Sequence, residues 1–493
     1  VAATENVADV AEPNITELAK QVADQAKGIG DLQVALNIVW TLVTGFLVMF
    51  MQAGFALVET GLTRAKSAAH TMAMNFLVYS IGVVAYWAIG FGLQMGNSNG
   101  LVTSLGDLPL QGEFVVHIAG KEFGLFGTQG FFLTPAVYTS GVAALFLFQM
   151  VFMDTTATIP TGAMAERWKF SGFVAFSFFI TAITYPIYAN WVWGGGWLAN
   201  LGKNFGLGHG HVDFAGSSVV HMVGGVAAFV GAKFLGPRHG KYGPDGRPRA
   251  IPGHNVPMVA IGTFILAFGW FGFNPGSTLA GTDTHIAVIA TNTMLASAAG
   301  AMGAYFYSKW KFGKADPTLL CNGMLAGLVA ITAPCAFVTA PASILIGAVA
   351  GVLVIISAMF IENTLKVDDP VGASSVHGTC GAWGILALGL FADGRYGDGW
   401  NGVPGKVRGL FYGDPSQFAA SCIGILANIV WVSIATYICL KIVEATVGNR
   451  VRIEDEVSGL DVPEMGVEGY APDVVGGGPV IPWPPGGAPA PRQ

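Results

Sequence analysis

From about residue 35 to residue 442 the chain is a series of apolar runs joined by short polar segments, and that succession limits the fold more than any other feature. Eleven runs stand out, near 35–58, 69–95, 137–163, 170–192, 215–235, 256–275, 284–308, 318–334, 338–361, 375–392 and 416–442. Each is long enough to cross a hydrocarbon core about 30 Å thick as a helix. Backbone polar groups at that depth must be satisfied within the segment, so the expectation is an all-α membrane protein of eleven transmembrane helices. Only 11% of the 493 residues are charged, against a soluble average of roughly 25%. The 69 glycines suit helices that approach backbone to backbone in lipid. A net charge of −6 offers no footprint for nucleic acid. The third run is the least regular, because Asp154, Thr155 and Pro160 interrupt it.

The runs divide the chain into an extracytoplasmic N-terminal segment (1–34), a transmembrane domain (35–443) and a cytoplasmic C-terminal tail (444–493), expected to be disordered from about 476 where it becomes Gly/Pro-rich. Within the first segment, Asn14 to Lys27 predicts a short amphipathic helix capped by Asn14 and stopped by Gly28. Four cysteines, Cys321, Cys380, Cys422 and Cys439, fall in apolar runs and Cys335 lies just past one, which is no disulfide framework.

Lys and Arg placement sets orientation. With the N-terminus outside, Arg64, Lys66, Arg167, Lys169 and the basic residues of 233–249 and 309–314 all face the cytoplasm, as the positive-inside rule requires. The C-terminus is then inside.

One stretch occurs twice. Asp213-Phe-Ala-Gly-Ser-Ser-Val-Val-His221 is echoed by Asp369-Pro-Val-Gly-Ala-Ser-Ser-Val-His377, with eight residues from Asp to His in both. The first heads the fifth span and the second the tenth, so Asp fits an N-cap and His lies about 12 Å deeper. Spans one to five and six to ten then form an inverted five-helix repeat with one extra helix, a plan that puts a transporter's site at the midplane. A weaker echo pairs Gly54-Phe55 in span one with Gly272-Phe273 in span six.

Two histidines converging at membrane depth point to function, because ionisable groups there are costly. With no third ligand such as Cys, Glu or another His expected at their depth, a proton relay or a site for a weak base fits better than a metal. Toward the outside lie Phe148 and Phe152, one turn apart, then Trp193 at the end of span four and Phe273 and Ser277 at the end of span six. An interfacial aromatic belt is one explanation. A cation–π cage for an ammonium-type cation is the other, with Ser277 offering an acceptor oxygen.

The motifs DFAGSSVVHMVGG, FQMVF, VWGGG, GWFGFNPGS, AER at 165–167 and DDPVGASSVHGTCG resemble those of the Amt/Mep/Rh family of ammonium transporters, on its bacterial or plant-type Amt side, from about residue 35 to 460. The resemblance implies a multi-pass subunit of the cell inner (plasma) membrane, N-out/C-in, in a homotrimer with one pore per subunit. It implies ammonium, ammonia or methylammonium as substrate and no cofactor; the residues themselves offer no nucleophile-base or metal constellation, so neither an enzyme nor a metal site is expected. Phe148, Trp193 and Ser277 match the recruitment site, Phe152 and Phe273 the stacked gate, and His221 and His377 the pore histidines. Asp213 matches a family aspartate, read here with Asp369 as a structural cap. Pro275, where Ala is common, and Gly372 and Ser374, where an acidic residue or Phe can stand, depart from the pattern. The segment from Arg450 resembles one that in many relatives works with a trimeric PII signalling protein, although Glu464-Met-Gly replaces the usual His-Gly-Glu; a solvated charged tail is the rival. Two alternatives to transport remain, an ammonium sensor with little flux and a neutral-gas channel of Rh type.

Overall fold

The computed structural model describes residues 15–470, and the segment expected to be disordered from about 476 lies outside the described residues, as does Asn14. All eleven apolar runs are helical: α1 (Ile15–Leu62), α2 (Ala65–Met95), α3 (Ser140–Met164), α4 (Phe170–Trp193), α5 (Ser217–Leu235), α6 (Val256–Thr278), α7 (Ile286–Phe312), α8 (Pro317–Thr332), α9 (Ala340–Asn363), α10 (374–391) and α11 (Pro415–Thr446). Nine of these are long and apolar enough to cross a membrane. The other two are α8, apolar but only 16 residues long, and α10, a wide turn at Ser374–Thr379 followed by Cys380–Phe391. The protein is a multi-pass membrane protein.

Local chemistry sets many of the helix starts. Side-chain oxygens of Thr139, Asn255, Asp316, Thr339 and Asp414 each accept from a backbone N–H in the first turn of α3, α6, α8, α9 and α11. Pro follows in the last four of these, where its missing N–H costs nothing. Pro160 is carried inside α3 without ending it.

Two expectations are corrected. The fold is not wholly helical, because Glu113–Ile118 and Lys121–Gly127 pair as an antiparallel hairpin, β1 and β2, in the α2–α3 connection. Its Val, Ile and Phe residues favour a pleated surface, and Ala119 (φ 53°) and Gly120 (φ 76°) supply the two left-handed residues of a tight hairpin turn. Nor does Gly28 stop a separate N-terminal helix: α1 runs unbroken through Gly28 and Gly30 into the membrane span. Glycine weakens a helix interior by about 1 kcal/mol relative to alanine, which a helix of 48 residues tolerates.

Small residues decide the closest contacts. A Cβ on Gly54 would stand 2.8 Å from the Leu266 side chain and 2.9 Å from the Gly262 carbonyl oxygen, so glycine lets α1 and α6 close up at this point. Helices α5 and α10 cross more tightly still, since a Cβ on Gly225 would lie 2.0 Å from the Gly378 nitrogen. Ser217 lies against Gly381 and Gly384, and Gly225 against Gly378, so the two helices run antiparallel.

On the face that carries Asp369, a buried ion cluster joins four connections. The Arg238 guanidinium bonds both Asp368 oxygens (2.9 and 3.0 Å) and reaches Glu166 at 2.7 Å, while Arg64 pairs with the other Glu166 oxygen. Burial works against the Asp368 anion, yet Arg238 prevails and holds the carboxyl well below the usual aspartate range. The segment from Arg450 is not simply solvated. Glu456 pairs with Arg450 at 2.8 Å, Asp461 accepts from the His70 N–H, Glu464 accepts from the Phe170 N–H, and Tyr470 meets His254 at 2.6 Å.

A candidate conduction site between two cavities

Helices α5 and α10 begin alike. Asp213 accepts from the backbone N–H groups of Gly216, Ser217, Ser218 and Val219 and from the Ser218 hydroxyl, at 2.7–3.0 Å. Asp369 accepts from the N–H groups of Val371 (3.3 Å), Gly372 (2.9 Å) and Ser374 (2.7 Å). Three residues after each Asp stands a left-handed glycine, Gly216 (φ 119°) and Gly372 (φ 77°), which lets the chain fold back over the carboxylate. Both carboxylates therefore cap helices. Each histidine then sits in a widened turn, Ser217–Met222 or Ser374–Thr379, a form that recurs at functional sites.

The result brings His221 and His377 together, Nδ1 to Nδ1 at 3.1 Å, with both rings buried. Such a contact requires one ring to donate and the other to accept. His221 Nε2 makes no hydrogen bond among the described residues. Aromatic rings form a file with the pair: Phe148 to Phe152 at 4.7 Å, Phe152 stacked on Phe273 at 4.1 Å, Phe273 to His221 at 5.4 Å, and His377 to Phe55 at 6.2 Å. Phe55 stands by His377 as Phe273 stands by His221, and these are the two phenylalanines of the weaker sequence echo.

Cavities flank this file. On the Asp213 side a space of ≈ 520 Å³ is lined by Phe148, Phe152, Trp193, Asp213 and Ser277 among others, so the residues singled out for recruitment do converge. Trp193 donates its indole N–H to the Asp213 carbonyl (2.7 Å) and presents its ring edge-on to Phe152 at 6.0 Å. Ser277 gives its hydroxyl proton to the Phe273 carbonyl (2.7 Å), which leaves lone pairs on a half-buried oxygen. On the Asp369 side a second space of ≈ 510 Å³ is lined by Asp369, Gly372, Asn322, Arg238 and Glu362 among others. Among the described residues no three His, Cys, Asp or Glu side chains gather as metal ligands.

Several neighbours escaped the sequence. Trp270 stacks on His221 at 5.2 Å and is itself fixed by its N–H bond to Thr332 Oγ1 (2.9 Å), so it sets the ring plane. Spacing did hold a signal for it, since Trp270 precedes Phe273 by one turn. Glu59 and Asn322, near His377, gave none.

A model of the Ammonium Transporter Family matches residues 39–470. The chain belongs to that family. An ammonium transporter, Amt2, of Archaeoglobus fulgidus is 42% identical over 462 residues, which are 93% of this chain and 92% of that protein. Ammonium transporter 1 member 3 of Solanum lycopersicum is 34% identical, covering 89% and 93% of the two chains. Among solved structures, one named Sensor Amt Protein superposes with a TM-score of 0.76 at 34% identity, over 88% of this chain and 99% of that one. Saccharomyces cerevisiae Mep2 superposes at 0.71 with 26% identity, over 85% and 90%.

Proposed function

We propose that this family member carries ammonium across a cell inner or plasma membrane. All eleven helices cross the bilayer as an inverted five-helix repeat with one extra helix, and the Asp213 cavity opens outside. Phe148, Trp193 and Ser277 hold the cation by ring faces and an acceptor oxygen, an attraction of about 2 kcal/mol once water is stripped away. A charge cannot cheaply pass the Phe152–Phe273 stack, since the cost at the bilayer centre is at least several kcal/mol. The proton leaves near the stack, ammonia moves past His221 and His377, and the histidine pair passes the proton along. Potassium has no proton to shed and is refused by the same barrier. Subunits assemble as homotrimers, and the segment from Arg450 offers a PII protein a docked cytoplasmic surface.

The observation that carries this reading is the 3.1 Å Nδ1–Nδ1 contact, set in an aromatic file between two cavities. Proteoliposomes test it: ammonium or methylammonium should evoke inward current and uptake, and potassium neither. Uptake without current refutes the proton step. A second reading, an ammonium sensor with little flux, is favoured by the likeness to Sensor Amt Protein. Labelled methylammonium that stays outside the liposomes would decide for the sensor.

A further inference from the structure

Beyond the histidines, α1 carries a buried ionisable group close to its Leu62 end, on the Asp369 side. Glu59 is only 3% exposed, and in the nearby ion cluster no arginine or lysine pairs with it. Its Oε2 accepts from Asn75 Nδ2 and from Thr161 Oγ1, both at 2.7 Å. Glu59 also lines a small space of ≈ 20 Å³ together with His377, Phe55 and Asn322. That is room for about one molecule the size of water or ammonia. Asn322 and Val371 line both this space and the larger Asp369-side cavity, so Glu59 stands at the passage from His377 to that cavity. Gly162 makes the position possible, since a Cβ there would meet the Glu59 side chain at 3.0 Å.

A purely structural account is available, in which Glu59 ties α1 to α2 and α3 through Asn75 and Thr161. That task asks only for an acceptor oxygen, which a neutral amide supplies as well. Keeping a buried carboxyl here is costly, and in membrane segments such groups mark proton or ion paths.

We propose that Glu59 is the residue that recharges ammonia on the Asp369 side of the histidine pair. The proposal rests on the transport reading above. In the step, the imidazolium N–H of His377 breaks and its proton passes to the Glu59 carboxylate, directly or through the one molecule between them. The Glu59 O–H then breaks as the ammonia lone pair takes the proton, forming ammonium and restoring the carboxylate. The balance is one proton and one ammonia in, one ammonium out, with neither oxidant nor co-reactant.

Glu59→Gln tests this, because it keeps the shape and the acceptor oxygen and loses the exchangeable carboxyl proton. In proteoliposomes the ammonium-evoked current should fall at least tenfold, Glu59→Asp should recover most of it, and the melting temperature should hardly change. Thr161→Val removes a hydrogen bond and leaves the carboxyl, so its current should stay within about threefold of wild type. A Glu59→Gln current within twofold of wild type overturns the proposal. So does a Glu59→Gln protein that fails to fold, or equal losses in Glu59→Gln and Thr161→Val, because either result makes Glu59 a strut. Wild-type protein without uptake sinks the transport reading itself, and wild-type uptake without current removes the proton step alone.

Discussion

The two ends of the histidine file are built from the same motif but held differently. Asp213 has five donors, and its partner Ser218 is bonded in turn to His211 at 2.9 Å. Asp369 has three, the longest at 3.3 Å, and lines an open cavity. Its side is instead secured by the neighbouring Asp368, clamped by Arg238. A single cap fixes α5, whereas α10 shares the task between a cap and an ion cluster. The two ends share a cap geometry but carry the load differently.

Replacing the caps with alanine should separate the two ends most sharply. A buried donor left unpaired costs roughly 1–3 kcal/mol, so Asp213→Ala, which strands four backbone donors, should abolish recovery of folded protein or lower its melting point by more than ten degrees. Asp369→Ala should cost less than half as much; equal losses would break the comparison. Next comes Asp368→Asn, expected to destabilise by about 3 kcal/mol because the buried Arg238 guanidinium keeps Glu166 but loses the carboxylate it meets through two nitrogens. Folding lowers this carboxyl's proton affinity, so its contribution is whole above the ordinary aspartate range and fades as pH falls through and below it. Acid melts of wild type against Asp368→Asn check that.

On the Asp213 side, Trp193→Leu should raise the ammonium KM about thirtyfold, the equivalent of a lost contact of about 2 kcal/mol, with melting unchanged. The smallest effect concerns Glu113 of β1, which accepts from Asn190 at 3.1 Å. Burial raises its carboxyl to about 7, against the opposing pull of that bond. Folding here favours the protonated form, so the contribution is full below the ordinary glutamate range and is lost as pH rises through about 7. Melting curves between pH 5 and 8 should show a slight decline in wild type that Glu113→Gln abolishes. The two faces thus loosen in opposite pH directions.

The sequence revealed the helices because lipid imposes a long apolar run on each, and revealed the caps and histidines because they recur at equal spacing. Phe55 was visible only as an echo of Phe273 and acquired meaning once both rings lay beside histidines. The hairpin was hidden because its turn, Ala119-Gly120, carries one glycine rather than a strong turn pair. Gly28 misled because a stop signal acts only where the following residues cannot continue the helix. Glu59 was overlooked because its position depends on contacts with α2, α3 and α8 that no periodicity in α1 encodes.

The crossing at Gly225 and Gly378 has a mechanical consequence. With peptide planes already touching, the two lining helices have no slack to slide or rock against each other. On the proposed conduction route, opening would then fall to single rings, Phe152 and Phe273, turning about their own side-chain bonds. Turnover on that route would be paced by rotamer hopping, without a scaffold-wide stroke.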